Sequence, residues 1–108
     1  MGGYPLVYSL LNKSRTYTFD ITVFQTPFYG STRGYKEVYR LDVEGNSHEI
    51  VIQKVFRMFN VVDCIPNDYK GRFMSTGDIL LIDQGRHGQY YYKLTSGGWE
   101  KINRIQVK

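Results

Sequence analysis

The sequence predicts an α+β fold: one amphipathic helix packed on an antiparallel sheet of about five strands, with a second sheet face free to curl into a half-barrel. Three observations predict it. Apolar residues alternate with period two over Thr16–Phe24 and again over Tyr35–Val43, the pattern of half-buried strands. They recur at helical spacing in a single stretch, NSHEIVIQKVFRMFN. After a long connection, short strand-like runs separated by tight-turn residues close the chain. A lone helix of about three turns needs a sheet to cover its apolar stripe, and short connections favour antiparallel pairing.

In TYTFDITVF, Tyr17, Phe19, Ile21 and Val23 point one way, while Thr16, Thr18, Asp20 and Thr22 point the other. QTPFYGSTRGY carries Pro27, Gly30 and Gly34 and reads as a loop. YKEVYRLDVE then places Tyr35, Glu37, Tyr39, Leu41 and Val43 on one face of a strand antiparallel to the first. The helix turns Val51, Ile52, Val55, Phe56 and Phe59 to the sheet and Glu49, Gln53, Lys54 and Arg57 to water. Its start is marked either by Asn46 with Glu49 three positions on or by Ser47, and Asn60 suits a left-handed stop.

Val61–Thr76 is a long connection, with a turn at Pro66-Asn67-Asp68. Ordered connections of this length usually carry a role. Asp78–Asp83 reads as a buried strand, QGRHGQ as a turn, Tyr90–Thr95 as a strand, SGG as a tight turn, and Trp99–Val107 as a last strand or extended tail. In YYYKL, period two tucks Tyr90, Tyr92 and Leu94 beneath the helix and leaves Tyr91 on the open face with Lys93.

A chain of 108 residues is one domain by size, and its 42% hydrophobic content separates it from disordered chains. Residues 1–15 read as an N-terminal extension ahead of a domain at 16–108. Their apolar run, Pro5–Leu11, is too short to span a bilayer and lacks the flanks of a signal peptide, so a cytoplasmic location is expected. The lone Cys64 allows no internal disulfide and no Cys-rich zinc site, and its neighbours Val61, Val62 and Ile65 suggest a buried filler. The net charge of +4 is spread from Lys13 to Lys108 rather than gathered in one block.

Catalysis finds little support. His48 and His87 fall at a helix start and a hairpin tip, both usually solvated, without ligands at metal spacing. Asp78 and Asp83 fall at opposite ends and on opposite faces of one strand, and Asp63 and Asp68 are turn formers. No glycine-rich loop leads from a strand into a helix. The reading is a non-enzyme without cofactor or metal, an uncharacterised enzyme being its weakest rival.

Two binding readings remain. Single-stranded nucleic acid would use Tyr91 as a stacking ring, with Arg86 and Lys93 on phosphates. A protein partner would use the connection around DYKGRF, where Tyr69, Lys70, Arg72 and Phe73 form an aromatic and arginine mixture common at interface centres, with Arg86 and Tyr91 secondary. Those rings could equally pin the loop to the core. Replacing Arg72 and Phe73 by Ala is expected to abolish partner capture and leave the thermal midpoint nearly unchanged.

The succession DITVFQTP, GYKEVYRLDVEG, VFRMFNV, DYKGRFMSTGDILLID and YYYKLTSGGWEKI resembles the YodL-like domain family of Firmicutes and their mobile elements. The likeness runs from about Thr16 to Ile102 and is greatest to small stand-alone bacillar members. It rests on Tyr39-Arg40 before the helix, Phe59-Asn60 at its end, Asp68-Tyr69-Lys70-Gly71, Gly77-Asp78-Ile79, Tyr91-Tyr92 and Gly98-Trp99. Lys70 stands where the family often has Arg, and Gly77 where it often has Ser. The resemblance implies a cytoplasmic α+β domain without catalytic signature or cofactor, and a role as a protein-binding modulator of the bacterial actin-like cytoskeleton and cell shape.

Overall fold

A computed structural model describes residues 16–107. The N-terminal extension expected over residues 1–15, with its apolar run, lies outside them. The elements follow one another as β1 (Tyr17–Gln25), β2 (Lys36–Gly45), α1 (His48–Asn60), β3 (Ile79–Asp83), β4 (Gln89–Thr95) and β5 (Gly98–Ile102). Short 3₁₀ turns occupy Val62–Cys64, Gly85–His87 and Arg104–Val107. The strands form one open antiparallel sheet in the order β2-β1-β3-β4-β5.

The period-two reading places the core. Phe19, Ile21 and Val23 of β1, Val43 of β2, and Leu80 and Ile82 of β3 are buried against Val51, Ile52, Val55 and Phe59 of α1. Tyr90, Tyr92 and Leu94 extend the same face, half-buried, as their alternation predicts, and Trp99 of β5 joins them there. Ser47, not Asn46, caps α1: its side chain accepts from the Ile50 N–H at 3.3 Å. Gly45 lets β2 run straight into that helix, because a Cβ there would lie 2.6 Å from Val51 Cγ1.

Five expectations need correction. Tyr17 lies at the edge of the core, half-exposed, with its ring edge-on to Phe19 at 6.3 Å between centroids. Phe56 sits at the rim of the stripe, edge-on to Trp99 at 6.3 Å between centroids. Asn60 is not a left-handed stop; the next residue, Val61, is extended, and Asn60 Oδ1 instead accepts from the Met74 N–H at 2.7 Å. Cys64 is exposed, since its 3₁₀ turn projects from the end of the helix rather than into the core. Along β2 a bulge at Val38 interrupts the alternation, so Val23 faces Tyr39 while Phe24 faces Glu37, and Glu37 leaves the face of Tyr39.

The second sheet face is not bare. Thr22, Ile79 and Tyr91 are buried on it. Tyr91 shares this face with Lys93 as expected, yet its ring is flanked across the ladder by Leu81 and Ile102 and lies beside Val107 in a pocket of about 240 Å³. The tail that reads as an extension of the last strand instead turns at Arg104–Val107, which brings it alongside Tyr91.

Candidate interaction surface

The Val61–Thr76 connection is tied to the end of β1 by a buried polar cluster. Gln25 reads the backbone of Arg72 with both ends of its amide, Nε2 donating to the carbonyl at 3.1 Å and Oε1 accepting from the N–H at 3.0 Å. The Arg72 guanidinium donates to the Thr26 carbonyl at 2.5 Å and faces Asp78 Oδ1 at 3.4 Å. Asp78 is only 2% exposed, and its Oδ2 accepts from Gln25 Nε2 and from the Ser75 N–H, each at 2.9 Å. Burial pushes the Asp78 carboxyl above its ordinary range, against the lowering effect of the Ser75 and Gln25 hydrogen bonds and the Arg72 charge.

Tyr69 completes the latch. Its ring packs on Phe59 at 4.5 Å and edge-on to Tyr39 at 5.7 Å, while its hydroxyl donates to the Arg72 carbonyl. Burial, aided by the Asp78 charge, pushes that hydroxyl up to about 12. A side chain at Gly71 would force the latch to shift, since a Cβ there would lie 2.6 Å from Gln25 Oε1 and nearer still to the Tyr69 hydroxyl.

The six residues singled out in the sequence therefore separate. Tyr69 and Arg72 point into the latch, so the Arg72/Phe73 double replacement is now expected to lower the thermal midpoint. Lys70 and Phe73 stay exposed on the same connection. Arg86 is exposed in the β3–β4 turn at the opposite end of the sheet. The Tyr91 ring is buried, so it offers no open stacking platform, and Arg86 lies in the turn before β4 while Lys93 lies within β4 near its other end.

Two aromatics that pattern reasoning passed over stand out in the structure. Phe28 is 76% exposed and Tyr29 70%, both in the β1–β2 loop, and Phe73 is 56% exposed across from them. The Arg72 bond to Thr26, and the Thr26 hydroxyl bond to the Phe28 carbonyl at 2.7 Å, hold the two loops together at one end of the sheet. Adjacent aromatics in a loop, PFYGS, with no periodic partner to bury them, were the available signal. Exposed rings on a pinned frame have the composition of an interface centre.

His48, expected to be solvated, is a hub at the other end. Its Nε2 lies 2.8 Å from Gln84 Oε1 and its Nδ1 2.7 Å from the Tyr92 hydroxyl. An amide oxygen only accepts, so Nε2 donates to Gln84, and in the neutral ring Nδ1 accepts from the Tyr92 hydroxyl. The imidazole also meets Phe19 and Tyr90 edge-on. It forms one wall of an open groove of about 550 Å³ with Ser47, Gln53 and Trp99. Among the described residues no helix is long and apolar enough to cross a membrane, and no three metal-ligating side chains converge.

The element order, the Tyr69–Gly71 turn and the Gly98-Trp99 hairpin follow the pattern noted in the sequence, and the YodL-like domain model matches residues 12–104. The chain belongs to the YodL-like domain family. It is similar to "Uncharacterized protein YodL" of Bacillus subtilis (strain 168), 48% identical over 96 residues that cover 89% of this chain and 92% of that protein. No solved structure matches it. In YodL-like terms, the turn segment Asp68-Tyr69-Lys70-Gly71 reads as a folding device: Tyr69 and Gly71 are locked in the latch, and Asp68 accepts from the Tyr39 hydroxyl at 2.7 Å.

Proposed function

We propose that this protein acts in the cytoplasm by binding another protein, as a modulator of an actin-like cytoskeletal filament, and that the contact surface centres on Phe28, Tyr29 and Phe73 with Lys70 beside them. The observation that carries this reading is the exposure of three large rings on two cross-linked loops at one end of the sheet. Leaving such rings in water is unfavourable at about 1.5–3 kcal/mol for each that a partner could bury. The latch beneath them lowers the entropy lost on docking, because the loops are already ordered. The choice of filament rests on the family resemblance.

The test is co-sedimentation with the purified actin-like filament protein, run beside capture from cytosol. The wild type is expected in the pellet with polymer. The Phe28→Ser/Phe73→Ser double variant is expected in the supernatant with an unchanged thermal midpoint. A wild type that stays in the supernatant under polymerising conditions rejects the filament, and a double variant that pellets as well as wild type rejects the surface.

A further inference from the structure

Strand β2 leaves one side of the sheet open. It is an outer strand in the sheet order, and among the described residues no strand pairs with its far side. The opposite edge, β5, spans five residues and runs into the Arg104–Val107 turn, whereas β2 spans ten. An edge of that length presents unpaired backbone groups that another strand can use. The Glu44 carbonyl shows which groups these are: it turns outward to accept from Lys54 Nζ at 2.6 Å. Period two then directs the N–H and C=O of Asp42 and Arg40 to the same open side.

The charges along this edge are unbalanced within one chain. Asp42 stands directly opposite Asp20 in the β1–β2 ladder, a like-charge pair that a sheet disfavours. Arg40 reaches Asp20, its Nε and Nη2 donating to the carboxylate at 2.9 and 2.6 Å. Among the described residues Asp42 takes part in no ion pair. The Arg40 side chain is nonetheless well exposed and lies on the same face as Asp42.

We propose that β2 pairs with β2 of a second copy of this chain, antiparallel and two-fold symmetric about Leu41, so that Arg40 of each copy faces the partner's Asp42. This register is selected by charge. Centring the axis on Leu41 opposes Arg40 to Asp42 twice and brings the Leu41 side chains together at the axis, where non-hydrogen-bonded partners approach closest. Moving the axis one residue either way opposes Asp42 to Asp42, or Arg40 to Arg40.

The seam has natural limits. The Val38 bulge ends regular pairing on one side, and the Lys54 bond occupies the Glu44 carbonyl on the other. A two-fold axis perpendicular to the sheet keeps both helices on one face. The groove of about 400 Å³ beside β2, lined by Val43, Met58 and Cys64, then opens over the joined strands and adds apolar contact to the backbone bonds.

Analytical ultracentrifugation of the full chain over a concentration series tests this. The weight-average mass is expected to climb from the 12.6 kDa of one chain towards twice that value. Arg40→Asp and Asp42→Arg, each alone, are expected to weaken self-association by about tenfold or more, because each turns two attractive pairs repulsive. Mixing the two variants in equal amounts is expected to restore dimer as the heterodimer, since their edges are complementary. Asp42→Arg leaves the Arg40–Asp20 bond intact, and the Arg40→Asp/Asp42→Arg double variant re-forms both pairs, so the test survives a misfolded Arg40→Asp. A mass that stays at one chain throughout overturns the proposal. So does a dimer indifferent to the single reversals, or a mixture without heterodimer.

Discussion

Replacing Arg72 by Ala removes the guanidinium that donates to the Thr26 carbonyl and faces the carboxylate of Asp78, which is itself only 2% exposed. Stripping one partner from a fully buried ion pair costs about 3–5 kcal/mol. Three features reduce that here. The 3.4 Å separation is long for a charge-assisted bond, the Arg72 side chain is 32% exposed, and Gln25 and Ser75 still donate to Asp78. About 2 kcal/mol remains, in line with an unsatisfied buried acceptor. For a domain of this size that lowers the thermal midpoint by about 8–16 °C. Phe73→Ala, one residue along and mostly in solvent, is expected within about 0.5 kcal/mol of wild type. Thermal melts and urea titrations of Arg72→Ala, Phe73→Ala and Arg72→Ala/Asp78→Asn give the answer. The double variant should recover part of the loss, because an amide there still accepts a hydrogen bond without burying a charge. An Arg72→Ala protein that melts with the wild type would refute the latch.

Three further outcomes follow from the same geometry. Gly71→Ala drives a methyl into Gln25 and the Tyr69 hydroxyl and is expected to lose about 1–3 kcal/mol by urea denaturation; an unchanged midpoint would mean the loop is free to yield. His48→Phe keeps the ring contacts but strands the Tyr92 hydroxyl and the Gln84 amide, a loss of about 1–2 kcal/mol read the same way, and a neutral result would place both groups in solvent. Asp78 binds its proton more tightly folded than unfolded, so its contribution to stability is full below the ordinary 3.8 and fades as pH rises through the higher folded value. The wild-type midpoint, relative to Asp78→Asn, is therefore expected to fall from about pH 4 upward, and a flat difference would show the carboxyl to be solvated.

Elements whose side chains answer to one neighbour were legible in the sequence. Alternation placed Phe19, Ile21 and Val23 on the core side, and helical spacing placed Val51, Ile52, Val55 and Phe59 opposite them. The orientation of Tyr90, Tyr92 and Leu94 followed for the same reason, and the family pattern in the Asp68–Gly71 turn and Gly98-Trp99 was plain in the residues. The candidate surface was legible only in part. Phe73 and Lys70 do face outward, but an arginine in a loop reads as solvent-exposed unless its buried carboxylate is known, and Asp78 reached Arg72 only once the connection had folded back on β1.

The order of polar and apolar residues was enough to specify one helix on an antiparallel sheet, because secondary structure and its buried face depend on spacings of two to four positions along the chain. Which rings see water is decided over longer distances. Gln25 meets Arg72 forty-seven residues away, Tyr91 is flanked by Leu81 and Ile102, and Asp42 comes opposite Asp20 through a bulged hairpin. Each outcome depends on which loop lies over which strand, and that is settled by the packing of the whole core, a many-body sum that no local window contains.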